Sequence, residues 1–202
     1  MSIRSVFAAF VALLVVVPGA LRAQGEDIDF TTARKAFIAG QPRNAANTLL
    51  ESSLGVRQQV GRCRDETVGA ELLEAESNLE KLANGLRNGT VKELKALDQA
   101  LKGIDHSLAH HHLLLVQTAL AHPRGDNINV ASHDLDRAAF HFERSVTLDG
   151  GKLTPEQTAA LADARKLSSD LATATSVPSG ANAVISALEK VILANGSVAT
   201  VK

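Results

Sequence analysis

Tryptophan and tyrosine are absent from this chain, and phenylalanine occurs only six times in 202 residues. The aromatic platforms on which sugars and single-stranded nucleic acids stack are therefore scarce. Basic residues number 21 and acidic residues 22, so no cationic stripe tracks a phosphate backbone, and nucleic acid is not expected as a partner. Cysteine occurs once, at Cys63, which excludes an internal disulfide and a Cys-x-x-Cys-His haem attachment. In an oxidising compartment this thiol is expected to be buried near a helix end, capped, or paired between chains. The usual catalytic signatures are missing as well. There are no Glu-x-x-His pairs of the di-iron type, no His-Glu-x-x-His, no Gly-x-Ser-x-Gly elbow and no phosphate-cradling glycine loop. No catalytic residue is assigned, and the chain is expected not to be an enzyme.

The amino terminus reads as an export signal. Arg4 precedes an uncharged apolar run at 6–17, Pro18-Gly19 breaks it, and Leu21-Arg22-Ala23 offers a cleavage site after Ala23, with Ala20 as the alternative. The run is shorter than the about 20 apolar residues needed to cross a bilayer. A retained anchor is thus the weaker alternative, and no span is expected after cleavage. No cysteine follows to carry a lipid. The chain is expected to be exported, periplasmic or secreted. It divides into a signal peptide (1–23), a helical bundle domain (24–175), and a linker, C-terminal helix and frayed tail (176–202).

Beyond residue 26 the apolar residues recur at helical spacing, and alternating β-branched strands are missing. A short helix over 28–39 ends at Gly40, and Pro42 opens a second that runs to about residue 63 with Ala46, Leu49, Leu50, Leu54, Val56 and Val60 inward. A third follows Asp65. Its Val68, Leu72, Ala75, Leu79, Leu82 and Leu86 alternate by four and three, as in a bundle seam. Thr90-Val91-Lys92-Glu93 has the form of a capping box, which starts a fourth helix at Val91 that extends to about residue 121. Its seam is Leu94, Leu97, Leu101, Ile104, Leu108, His111 and Leu115. A fifth helix, 129–147, turns Leu135, Ala138, Ala139, Phe142 and Val146 inward. Thr154-Pro155-Glu156-Gln157 caps a sixth, and a seventh spans 181–194. Short connections between long amphipathic helices predict an all-α antiparallel helical bundle: a four-helix core, a short N-terminal helix and two C-terminal helices. Ala33, Ala36, Gly40 and Ala45 resemble a tetratricopeptide-type hairpin over about 20 residues. The pattern does not recur at that family's period, so no family follows from it.

All seven histidines fall between His106 and His141. Imidazole titrates near neutrality and is the commonest metal ligand. On a helical wheel His111 takes a seam position, with His122 near the same line at the helix end. His106 and His110 form an i, i+4 pair suited to one metal ion. Asp105 is placed to orient His112. Asp134 and Asp136 flank Leu135 and read as surface charges. His141 comes to similar depth as His110 in a hairpin, although the wheel turns both away from the facing seams. Candidate metal ligands are therefore His106, His110, His112 and His141, with zinc, copper or nickel as the ion. The leading expectation for function is a non-catalytic bundle acting by contact with a protein partner or a second copy, for instance as an accessory subunit of a periplasmic or membrane-associated complex. Metal binding or sensing is the alternative, and an enzyme with a histidine general base comes third.

Overall fold

The computed structural model describes residues 28, 30–63, 65–123 and 126–195. The expected signal peptide and the tail after Asn195 lie outside the described residues. Within them the chain forms seven α-helices and no strand: α1 (Thr31–Ile38), α2 (Pro42–Val60), α3 (Glu66–Asn88), α4 (Leu94–Ala121), α5 (Asp126–Thr147), α6 (Pro155–Thr173) and α7 (Ala181–Asn195). Consecutive helices pack on each other as a helical bundle. The pairs α4–α5 and α2–α3 have the most extensive contacts, and α4 also touches α1 and α7.

Local chemistry sets most of the helix boundaries. Asp65 caps α3, its carboxylate accepting from the Val68 N–H at 3.0 Å. Gly89 ends the same helix with φ of 75°, a conformation that an L side chain disfavours. Before α6, the Gln157 N–H donates to Thr154 Oγ1 at 3.2 Å and the Thr154 N–H donates to Gln157 Oε1 at 2.9 Å. The predicted capping box therefore forms there, with Pro155 in the first turn.

The capping box expected at Thr90 does not form. Thr90 instead finishes α3, with its N–H and Oγ1 both donating to Asn88 Oδ1, at 3.1 and 2.8 Å. Val91 then lies so close over Gly85 that a Cβ there would stand 2.7 Å from Val91 Cγ2. The backbone stays non-helical until Glu93, which becomes the N-cap of α4.

Two apolar clusters make up the core, and α4 belongs to both. Leu97, Leu101, Ile104 and Leu108 join α1–α3 in one cluster, while Ala109, Leu113 and Val116 join α5–α7 in the other. The predicted seams of α3 and α5 are buried throughout. The face of α2 is rotated from the expected one. Leu54 points to solvent at 56% exposure, while Ser53 and Gln59 are buried beside Leu49 and Val56. Ser53 tolerates this position because its hydroxyl donates to the Leu50 carbonyl at 2.8 Å. Cys63 is half-buried rather than buried, and its thiol donates to the Asp65 carbonyl at 3.3 Å.

Two glycines give opposite expectations. Gly89→Ala should lower stability by about 1 kcal/mol, since φ is left-handed and no neighbour offers contact in return. Gly103→Ala, inside α4 with open space around its Cβ position, should raise stability by about 0.5–1 kcal/mol. Urea unfolding of both variants measures the two signs.

Candidate functional site

Most of the buried titratable side chains among the described residues gather where α4 packs on α5. Asp105 and His112 stand seven residues apart on α4, and Asp134 and His141 stand seven apart on α5. Because the helices run antiparallel, these two equal spacings pair reciprocally. His141 Nδ1 is 2.8 Å from Asp105 Oδ1, and His112 Nδ1 is 2.9 Å from Asp134 Oδ1. All four residues are buried, Asp105 completely. A carboxylate in its ionised form only accepts, and the imidazole facing it then donates through Nδ1–H.

Seven residues of helix separate the two levels by about 10 Å, yet the two imidazoles nearly touch. Their rings lie parallel, with centroids 5.8 Å apart. Helical side chains lean toward the N-terminus of their own helix. Antiparallel helices therefore tilt His112 and His141 toward one another, and the rings meet between the levels.

Arg144 completes the lower level. Its Nε faces the second oxygen of Asp105 at 3.3 Å, and its guanidinium lies over the rings of Phe30 and Phe140 at 5.3 and 5.1 Å from their centroids. His111 stands beside this array with its ring centroid 5.4 Å from that of His112. It is 1% exposed, and among the described residues neither of its ring nitrogens has a hydrogen-bond partner. Burial first, and the neighbouring His112 second, push its pKa down to about 4, against a smaller opposing pull from Asp134. Burial also lowers the pKa of His112, with the Asp134 hydrogen bond opposing.

His106 and His110 belong to a different contact. His110 Nδ1 meets Glu71 Oε2 of α3 at 3.1 Å. His106 Nδ1 is buried with no partner among the described residues, and burial lowers its pKa while Glu71 opposes.

The four candidate ligands thus separate into two pairs, His106 and His110 toward α3 and His112 and His141 between α4 and α5. Among the described residues no group of three or more His, Cys, Asp or Glu side chains is placed to hold a metal ion. Three expectations change in detail. Asp134 is buried and bonded rather than a surface charge. Asp105 orients His141 instead of His112. His141 faces α4 rather than lying away from it. His133 and His122 are exposed and take no part, and Glu71 and Arg144 enter without having been anticipated. The usable signal was the repeated Asp-x6-His spacing on two neighbouring helices.

No hollow opens onto this array in either of the two best-formed surface depressions. One, of about 280 Å³, lies between the ends of α2 and α3 and is lined by Val60, Cys63, Ala70 and Leu73 among others. The other, of similar volume, lies between α4 and α7. No helix among the described residues is long and apolar enough to cross a membrane. No family model, curated protein or solved structure matches the chain.

Removing one member of the array should be severe. Asp105→Ala leaves His141 and Arg144 without their buried carboxylate and should cost about 3–5 kcal/mol in denaturant unfolding. The pH dependence follows from His111. Its folded pKa is depressed, so the folded state holds fewer protons than the unfolded chain between about pH 6.5 and about 4. Stability is then full above pH 6.5 and falls as the pH drops, by about 3 kcal/mol at about 1.4 kcal/mol per unit. His106 and His112 act in the same direction. Denaturant midpoints at successive pH values should show this slope, and His111→Leu should flatten it.

Proposed function

We propose that this chain is an exported, non-catalytic helical bundle that acts by contact with a protein partner or a second copy of itself. The observation that carries this reading is the internal engagement of the imidazoles. His110, His112 and His141 each direct Nδ1 at a carboxylate on a neighbouring helix, and His111 is walled in. A general base needs to stand within hydrogen-bond reach of a substrate, and neither surface depression has a histidine in its lining. Apolar side chains meanwhile face outward on several helices, among them Leu54 and Leu73, each more than half exposed. Leu73 borders the depression at the ends of α2 and α3, a mostly apolar surface of the kind protein contacts use.

The test joins binding with metal analysis. The chain purified from its own host after gentle cross-linking should retain a defined complex or dimer. Leu73→Arg should lose it while the melting temperature stays within about 1 °C, because a substitution at an exposed position costs little. Stoichiometric zinc, copper or nickel in the wild-type protein, absent after His106→Ala and His110→Ala together, would replace the interaction reading with metal binding. Near-zero metal in both samples leaves the interaction reading in place.

A further inference from the structure

We propose that the buried array between α4 and α5 is a proton-operated latch, which holds these helices together at neutral pH and releases them in acid before the rest of the bundle unfolds. The groups facing the imidazoles are Asp105 on α4, and Asp134, Arg137 and Arg144 on α5. Two carboxylates stand against two guanidiniums, so the array is balanced when its histidines are neutral. His110 adjoins His111 along α4 and is itself turned to Glu71 of α3, which faces His106 as well.

Any proton added here upsets that balance. It does so with most effect at His111, where an imidazolium has two N–H donors and neither nitrogen has an acceptor among the described residues. The nearest carboxylate influence, Asp134, already accepts from His112. A charged His111 therefore reaches a satisfactory environment only by meeting water, and a parting of α4 from α5, which carries Asp134, would admit it. The parallel stack of His112 on His141 adds to the effect, because two charged rings 5.8 Å apart repel.

The fold lets such a parting be local. The array sits where the two apolar clusters of α4 meet, near Leu108 and Ala109. The α2–α3 and α6–α7 pairs hold through other contacts and contain no part of the array. The polar contacts at risk are confined to one stretch of each helix, 105–112 and 134–144. The latch needs no assumption about what the protein binds, and it holds or fails independently of the interaction reading.

Hydrogen exchange followed by mass spectrometry on the full mature chain tests this at pH 7.0 and 4.5, with rates corrected for intrinsic exchange. Amides in 105–116 and 134–147 should exchange at least tenfold faster at the lower pH, while those of 66–88 and 155–173 change by less than threefold. His111→Leu should reduce the difference to less than threefold. In the wild-type chain the His111 ring carbon signals, followed by NMR, should titrate well below the range of an exposed imidazole, at about pH 4. This second readout decides the matter if the variant does not fold. A uniform rise across all helices, no rise at all, a rise undiminished in His111→Leu, or a His111 ring that titrates like an exposed imidazole would each overturn the latch.

Discussion

The α4–α5 contact is the constraint on which the rest of the structure depends. Among the described residues α4 is the one helix shared by both apolar clusters, and α5 is its most extensive neighbour. An apolar seam alone tolerates sliding by a turn. Reciprocal Asp–His pairs do not, because a shift of one turn along α5 removes both carboxylates from their imidazoles at once and leaves four buried polar groups unsatisfied. The array therefore specifies alignment. Its contribution to stability is a separate matter, since burying ionised groups costs several kcal/mol before any pairing is counted.

That tension explains the peculiar chemistry of the array. Asp105, fully buried, is hydrogen-bonded to the imidazole of His141 and ion-paired with the guanidinium of Arg144. Asp134 and His112 form the second hydrogen-bonded pair one level away. His111 has no such match. It fills a seam position that a leucine would fill without difficulty, and it keeps its volume in the core by remaining uncharged. Outer ion pairs such as Lys190 with Glu156 lie on exposed surface, where a pair contributes only about 0–1 kcal/mol. The weight of the polar chemistry lies inside the protein.

Periodicity made the helices legible, and the cap at Asp65, the stop at Gly89 and the capping box at Thr154 follow from residue chemistry over three or four positions. The failures have a common origin in interactions that a single helix does not contain. Leu54 reads as part of a seam until the neighbours of α2 rotate that seam toward Ser53 and Gln59. Thr90 reads as an N-cap until Asn88 and Val91 draw it back over α3. Asp134 and His141 seem to leave the contact face on an ideal wheel. They return to it because the register with α4 sets which residues meet, and because side chains lean along the helix rather than standing straight out. The spacing Asp-x6-His, present twice, was visible throughout, but its meaning required knowing that α4 and α5 run antiparallel at that offset.

The shared membership of α4 also bears on how the chain acquires its structure. Each helix packs chiefly on its immediate neighbours in sequence, and the closures that bring distant segments together, α1 with α4 and α4 with α7, both end on this helix. Contacts of short sequence separation close small loops and form quickly, which places the bundle among topologies that fold in microseconds to milliseconds. Hairpins can assemble on either side without waiting for the other. What remains is the alignment of α4 with both sets of partners, so the longest helix among the described residues, present in both apolar clusters, is also the element that joins the two halves.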